Sequence, residues 1–209
     1  SWQNPAALTV DPMLPANAPV LSALLLPTTY AITNLAETGE AFFLARLEKA
    51  LTNGLRLIQV REKHLSKAEL KTFAQRVIAF ARPYAARVLV NADIEFASSV
   101  GADGVHLSAA SLMAMQAKPH GLLCGASCHN AIELGHAANL GLDFVLLSPV
   151  MPTRSHPDIA ALGWREFSRL MQNYPLPVYA LGGLQPQNMV SAWQHGAHGI
   201  AMQRAVWEC

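Results

Sequence analysis

Eight short runs rich in valine, isoleucine and leucine recur along the chain, and segments with helical periodicity separate most of them. The runs are TTYAIT, LRLIQV, RVLVN, GVHLS, LLCGASC, FVLLSPV, PVYALG and GIAMQ. Near-continuous apolar runs are typical of parallel strands buried on both faces, and parallel strands need helical crossovers. Eight such units within about 180 residues predict an α/β protein with the TIM (β/α)8 barrel fold. A doubly wound sheet of the Rossmann or flavodoxin type is the alternative.

Signals at the predicted helix ends support this division. The segment GEAFFLARLEKALTNG ends at Gly54, where a glycine can close a helix. The next helical segment opens with a capping box from Ser66 to Glu69. Two similar stretches, 101–105 and 196–200, each predict a helix cap that leads into a buried strand.

Composition narrows the function classes. The 209 residues are 52% hydrophobic and 14% charged, which favours one main domain around a large core. A net charge of +1 without a long basic run argues against binding to nucleic acid or to a membrane surface. Because the chain has neither a bilayer-length apolar stretch nor a signal-peptide pattern, we expect a cytoplasmic protein. Its three cysteines lack the C-x-x-C spacing, so we expect reduced thiols.

Polar residues follow the second predicted strand at alternate positions. Gln59, Arg61 and Lys63 therefore share one face of an extended segment. Active sites of (β/α)8 barrels lie at the carboxyl ends of the strands, and a partly buried charge needs a partner. The spacing predicts an anionic ligand at this face. The alternative is a structural ion pair, for example between Arg61 and Glu62.

Further candidates follow the third, fourth and fifth strands. Asn91 ends the third, His106 and Ser108 end the fourth, and Cys128 and His129 end the fifth. A histidine such as His106 is as readily a hydrogen-bonded core group as a catalyst. A nucleophilic Cys128 paired with His129 is disfavoured, because adjacent strand residues point to opposite faces.

Two more features lie near the end of the chain. The longest connection, SPVMPTRSHPDIAALG, is interpreted as a lid over a ligand or, alternatively, as a disordered surface loop. Its polar residues are Thr153, Arg154, Ser155 and His156. Gly182 and Gly183 end the seventh strand just before a helix that starts near Pro186. Bare backbone amides at that point predict a phosphate site.

The chain from about Thr28 to Val206 resembles thiamine phosphate synthase and the related thiazole tautomerase. The motifs that carry the resemblance are YAIT, QVREK, VN, GADGVHLS, GASCH, SPVMPT, VYALGG and GIAM, in family order and spacing. In the synthases, a hydroxymethylpyrimidine diphosphate loses pyrophosphate, and the ring nitrogen of a thiazole phosphate captures the pyrimidine cation. The resemblance implies the barrel fold and phosphorylated small-molecule ligands.

The resemblance also implies a set of ligand-binding residues at the strand ends. They are Gln59, Arg61, Lys63, Asn91, Ser127, Thr153, Ser155, His156, Gly182 and Gly183. Gln59 would contact the pyrimidine, and the next four residues would hold its diphosphate. Thr153 and Ser155 would lie over the thiazole, His156 occupies the family's loop-lysine position, and the glycine pair would hold the thiazole phosphate. Lys63 and His129 are implied as catalytic residues.

Two departures from the family affect its Mg²⁺ site. The family's two metal-binding aspartates are replaced here by Ala92 and Ser111. Since Mg²⁺ prefers carboxylate oxygens, the resemblance implies that the family's metal site is lost and that no residue here is a metal ligand. Asp93 is one position away and would turn to another face. The tautomerase branch also lacks both carboxylates, and there a histidine equivalent to His129 is the acid/base.

Residues 1–27 resemble the tail of a MutT-type Nudix hydrolase, which cleaves oxidised guanine nucleotides. In a Pro-Ala-Asn motif of that family the asparagine contacts the oxidised base, and here it is Asn17. We therefore expect a Nudix tail and linker over 1–27, with Leu24 to Pro27 against the base of the barrel, and the barrel over 28–209. The parent polypeptide would then be a bifunctional fusion with a preceding Nudix domain.

Three functions remain open at this point. The barrel is a working synthase, a tautomerase-like isomerase that uses His129, or a degenerate module that binds a phosphorylated ligand beside its Nudix partner. The ligand-binding residues favour the first or the third, and the missing carboxylates weigh against the first. The resemblance leaves room for a homo-oligomer.

Overall fold

The computed structural model describes Asn4, Ala7, and residues 17–153 and 160–208. Eight parallel strands form a closed barrel in which each strand pairs with its sequence neighbours and the last pairs with the first. They are β1 (Thr29–Ile32), β2 (Leu57–Val60), β3 (Arg87–Val90), β4 (Gly104–Leu107), β5 (Leu123–Cys128), β6 (Phe144–Leu147), β7 (Val178–Leu181) and β8 (Gly199–Met202). The predicted TIM barrel is confirmed, and the doubly wound alternative is wrong.

Helices alternate with the strands. They are α1 (Ala18–Leu24), α2 (Leu35–Thr38), α3 (Glu40–Thr52), α4 (Lys67–Ala81), α5 (Ile94–Val100), α6 (Ala109–Ala114), α7 (Ala131–Asn139), α8 (Gly163–Met171) and α9 (Met189–Gln194). The predicted capping box of α4 is present, with Ser66 and Glu69 bonded reciprocally. Gly101 closes α5 in the left-handed conformation, as expected. Within the described ranges, no helix is long and apolar enough to cross a membrane.

The strands bury both of their faces, which explains their unbroken apolar character. In β6, Phe144 and Leu146 point into the barrel, whereas Val145 and Leu147 point outward against the helices. This alternation follows from the two-residue period of a strand. The barrel is therefore a packed core, and the cavity described below opens at the carboxyl end of its strands.

The last residues of the predicted tail close the opposite end of the barrel. Leu26 is only 5% exposed and packs in the interior cluster with Tyr30. The carbonyl oxygens of residues 25 to 27 accept hydrogen bonds from Arg87, His198 and Tyr179 respectively. By contrast, α1 is partly exposed, with Leu24 60% accessible. Residues 26 and 27 thus pack with the barrel.

Deletion of residues 1–20 should change the free energy of unfolding by less than about 0.5 kcal/mol, since terminal segments generally contribute little to stability. Leu26→Ala should cost at least about 2 kcal/mol, because it opens a cavity among interior barrel side chains. Urea denaturation of both variants beside the intact chain measures the difference. A deletion as costly as Leu26→Ala would show that residues 1–20, which include the first three residues of α1, are an integral part of the barrel.

Candidate functional site

A cavity of about 650 Å³ opens at the carboxyl ends of the strands. The described residues predicted to bind ligand or to act in catalysis at the strand ends all line it: Gln59, Arg61, Lys63, Asn91, Ser127, His129, Thr153, Gly182 and Gly183. Ser155 and His156 lie outside the described residues. Asn17 is exposed at the start of α1 and is not among the residues that line the cavity.

Arg61 is a half-buried cation at the cavity wall. Its backbone N–H donates to Thr33 Oγ1 at 3.0 Å, which fixes the chain just beyond β2. Burial lowers the pKa of its guanidinium, and the nearby Glu62 carboxylate opposes that shift. Glu62 is itself occupied, because its Oε1 accepts from the Leu35 N–H at 2.9 Å and its Oε2 lies 3.6 Å from His64 Nδ1. Among the described residues the guanidinium makes no ion pair, so the structural pair considered above does not form.

Lys63 and Asn91 extend this polar wall. Lys63 is exposed, and its ammonium makes no ion pair within the described part of the chain. Asn91 Nδ2 donates to the carbonyl oxygen of His106 at 2.9 Å, which holds the amide at the end of β3. A cationic wall with an oriented amide suits an anionic ligand.

The end of β5 presents Ser127 and His129 to the cavity and turns Cys128 away. Cys128 is fully buried in the outer layer between strands and helices. Burial raises the pKa of its thiol to about 12, so the sulfur remains protonated. Both position and protonation argue against a nucleophilic cysteine.

The imidazole of His129 is oriented by Ser148, the residue that follows β6. Its Nδ1 donates to the carbonyl oxygen of Ser148 at 2.8 Å. In the neutral ring, Nε2 then carries the lone pair. The backbone N–H of His129 donates to Glu133 at 2.6 Å, which ties the residue to the first turn of α7. An oriented imidazole with one bare nitrogen can accept a proton from a ligand.

A buried polar chain runs from the barrel interior to the cavity. Gln59 Nε2 donates to the Tyr30 hydroxyl at 3.2 Å, and that hydroxyl lies 3.3 Å from His106 Nδ1. His106 Nε2 lies 3.0 Å from Ser127 Oγ. Burial, aided by the charge of Arg61, lowers the pKa of His106 to about 3, so the ring is neutral. Tyr30 was not predicted as part of this chain, although its position in the first apolar run is a usable signal.

The glycine pair after β7 supports the loop that follows β6. Gly182 and Gly183 have φ values of +108° and +64°. A Cβ on Gly183 would lie 2.4 Å from the Pro152 carbonyl oxygen. The N–H groups of Val150 and Met151 donate to Leu181 and Gly182 at 2.8 and 3.1 Å. These residues thus support the loop that carries Thr153. The helix expected near Pro186 begins as a 3₁₀ turn at Pro186–Asn188 and continues as α9.

Residues that follow β8 also line the cavity and were not predicted from the sequence. Arg204 lines the cavity, and its Nε lies 2.9 Å from both carboxylate oxygens of Glu37 in α2. Glu208 lines the cavity as well. Their positions just past the eighth strand are the available signal, because every strand end of a barrel faces the same opening.

Among the described residues that line the cavity, carboxylate ligands for Mg²⁺ are scarce. Neither Ala92 nor Ser111 lines it, and Glu208 is the only carboxylate among its described lining residues. Asp93 Oδ1 accepts from the Phe96 N–H at 2.7 Å and so caps α5. Among the described residues, no cluster of three His, Cys, Asp or Glu side chains could hold a metal. Mg²⁺ needs several hard oxygen ligands, which these residues do not supply.

Comparison with known proteins gives a consistent family. The family described as "Thiamine monophosphate synthase" matches residues 29–206. The "Putative thiamine-phosphate synthase 2" of Aquifex aeolicus is 37% identical over 179 residues, covering 84% of this chain and 95% of that protein. The "Thiamine-phosphate synthase" of Thermosynechococcus vestitus is 32% identical over 203 residues, covering 96% of this chain and 56% of that protein.

The solved structures agree with the sequence relatives. Thiamine phosphate pyrophosphorylase from Pyrococcus furiosus superimposes with a TM-score of 0.73 at 25% identity, covering 87% of this chain and 88% of that one. The barrel, its strand-end cavity and the long sequence match point the same way, and the chain belongs to the thiamine monophosphate synthase family.

Proposed function

We propose that the barrel binds a hydroxymethylpyrimidine diphosphate and a thiazole phosphate and joins them. Family membership supports this assignment. The observation that carries it is the half-buried Arg61 guanidinium, which lines the cavity without an ion pair among the described residues. A desolvated cation of this kind is stabilised by an anionic ligand such as a diphosphate.

The proposed reaction is a substitution at the pyrimidine methylene carbon. The bond between that carbon and the diphosphate oxygen breaks, and the diphosphate leaves with the electron pair. The thiazole nitrogen then donates its lone pair to the carbon and forms the new carbon–nitrogen bond. Arg61 and Lys63 would stabilise the charge that grows on the leaving diphosphate, with hydrogen bonds from Asn91 and Ser127. Positioning and charge neutralisation would supply most of the catalysis.

The second ligand would occupy the side of the cavity near β6 and β7. Thr153 and the backbone of Gly182 and Gly183 line that side. We propose that Thr153 covers the thiazole and that the glycine backbone holds its phosphate. Ser155 and His156 stay predictions for the same loop.

We expect thiamine phosphate to form, and inorganic pyrophosphate to bind, with less than about a threefold effect of Mg²⁺, because carboxylates are scarce around the cavity. The double variant Ala92→Asp, Ser111→Asp should acquire a Mg²⁺ dependence of about tenfold or more, because it adds two carboxylates next to the cavity lining. Ala92 follows the lining residue Asn91, and Ser111 Oγ lies 2.8 Å from the Oγ of the lining residue Ser108. For each protein, an assay of thiamine phosphate formation and a calorimetric titration with pyrophosphate, with and without Mg²⁺, measure the metal dependence.

The matched control is Ala92→Asn, Ser111→Asn, which adds similar volume without charge and should remain insensitive to Mg²⁺. A strong Mg²⁺ effect on the unmodified protein would contradict the expectation that ligand binding and product formation depend little on the metal. Absence of thiamine phosphate under both conditions, with pyrophosphate still bound, would favour the degenerate binding module.

The oriented imidazole of His129 favours a second candidate, a tautomerase-like isomerase. Its bare Nε2 would take and return one proton on a thiazole phosphate. If so, the intact protein should catalyse deuterium uptake from heavy water into the thiazole phosphate, and His129→Gln should slow it by roughly 100-fold or more. Mass spectrometry of the recovered ligand measures the uptake. Equal uptake by both proteins would exclude this role.

We further propose that residues 1–27 are the tail of a preceding Nudix domain in the same polypeptide. The support is the Pro-Ala-Asn motif, whose Asn17 is exposed and lies away from the residues that line the barrel cavity. In that arrangement Asn17 would contact an oxidised guanine base in the partner domain, and the barrel would act separately at its own cavity.

A further inference from the structure

We propose that His106 is a positioning residue that fixes the direction of the Ser127 hydroxyl. His106 donates to Ser127 Oγ, so the serine hydroxyl directs its own hydrogen into the cavity. Ser127 therefore recognises a hydrogen-bond acceptor on the ligand. This inference deepens the proposed function, and it rests on that function only in taking the cavity to be the ligand site.

The groups that carry the inference form one unbranched chain. Tyr30 and His106 are 0% and 1% exposed, so their polar atoms depend on one another for hydrogen bonds. The three contacts measure 3.2 Å from Gln59 Nε2 to the Tyr30 hydroxyl, 3.3 Å from there to His106 Nδ1, and 3.0 Å from His106 Nε2 to Ser127 Oγ. Only Gln59 and Ser127 reach the cavity.

The direction of donation along these three hydrogen bonds follows from the number of protons that each group carries. The Tyr30 oxygen accepts from Gln59, and so its own hydrogen is directed to His106 Nδ1. A neutral imidazole that accepts at Nδ1 must carry its proton on Nε2, which then donates to Ser127 Oγ. With that contact satisfied, the hydrogen of the serine hydroxyl is available to a group in the cavity. Each step follows from the one before it as long as His106 is neutral and the Gln59 amide donates to Tyr30 as observed.

The opposite direction would require the Gln59 amide to be reversed. Its oxygen would then accept from Tyr30, and its NH₂ group would face the cavity beside Arg61. Gln59 and Arg61 lie two residues apart on one face, so the reversed amide would set donor hydrogens against a partly desolvated cation. In the observed orientation Nε2 is turned to Tyr30, which leaves the amide oxygen to the strand face that Gln59 shares with Arg61. Charge therefore favours the chain that ends in a Ser127 donor.

The consequence is a rule for the ligand atom that meets Ser127. An acceptor such as a diphosphate oxygen or a bare ring nitrogen satisfies the hydroxyl. An ammonium group or another donor would compete with the hydrogen that His106 directs into the cavity. Arg61 and Lys63 select for negative charge on the ligand. The buried hydrogen-bond chain adds a second preference, because Ser127 also selects a hydrogen-bond acceptor on an uncharged part of the ligand.

The tautomer of His106 tests this directly in the unmodified protein. Correlation of the ring ¹⁵N nuclei with ring carbon-bound protons distinguishes a protonated nitrogen from a bare one. The sequence has 8 histidines, and the signal absent from a His106→Gln sample identifies the right ring. We expect a neutral ring protonated at Nε2. A ring protonated at Nδ1, or at both nitrogens, would overturn the proposal, and neither result depends on ligand binding.

Substitutions then connect the tautomer to recognition, with inorganic pyrophosphate as the probe. His106→Leu and Ser127→Ala should each weaken binding by roughly tenfold, the effect of one hydrogen bond. His106→Gln should bind within about threefold of the unmodified protein, because its amide nitrogen can replace Nε2 as the donor to Ser127. A loss with His106→Gln as large as with His106→Leu would contradict the positioning role. Failure of the unmodified protein to bind pyrophosphate would refute the proposed function and leave the tautomer result to decide the inference.

Discussion

The double variant Arg61→Ala, Lys63→Ala should bind inorganic pyrophosphate at least about 100-fold more weakly than the unmodified protein. Hydrogen bonds to charged groups contribute roughly 1.5–3 kcal/mol each, and two such cations are removed from one wall of the cavity. Calorimetric titration at a fixed ionic strength measures the affinity. Equal binding by the two proteins would show that the anion site lies elsewhere.

The same variant distinguishes a ligand-binding role from a structural one. Because burial disfavours the charged guanidinium of Arg61 and no described carboxylate pairs with it, its removal should leave the melting temperature unchanged or raise it. The matched control is Arg165→Ala, Lys71→Ala, which removes the same two residue types from exposed positions away from the cavity. The control should retain pyrophosphate binding within about threefold, the residual effect of net charge.

The barrel could be predicted because its strands are short, apolar on both faces and regularly spaced. The packing of Leu26 against Tyr30 inside the barrel fits the expectation that Leu24 to Pro27 lie against its base. The helix α1 was not predicted, because the segment around its start is rich in proline. Pro19 is nevertheless compatible with the helix, since it lies in the first turn, where a missing N–H is tolerated. The hydrogen bonds that Arg87, His198 and Tyr179 donate to this segment all go to backbone carbonyls, which carry no sequence signal.

Prediction of the cavity lining depended on which residues share a strand. Gln59 and Arg61 could be placed together because alternate strand positions face one way. Contacts between distant strands were not predictable: Tyr30 meets His106 across 76 residues of sequence, and Arg204 meets Glu37 across 167. Their partners are set by the closure of the barrel. The role of Gly183 likewise depends on the Pro152 carbonyl of another loop.

Gly183→Ala should destabilise the fold by about 3 kcal/mol and weaken the binding of inorganic phosphate at the glycine backbone. An alanine at φ of +64° costs about 1–2 kcal/mol, and its Cβ would meet the Pro152 carbonyl at 2.4 Å, where overpacking costs about 1–3 kcal/mol more. Relief of that contact would move the loop that follows β6, and with it Thr153, away from its present position at the cavity. Urea denaturation and phosphate titration measure the two effects.

Gly141→Ala is the matched control, because its φ of +65° is nearly the same and an added Cβ would meet nothing within 4 Å. Its free energy of unfolding should fall only by the backbone cost of about 1–2 kcal/mol, and its phosphate affinity should stay unchanged. The difference between the two variants therefore isolates the contact between Gly183 and the loop that follows β6. Equal losses of stability in both variants would mean that this loop moves away without cost. In that case the glycine pair would not be needed to seat Thr153 over the cavity.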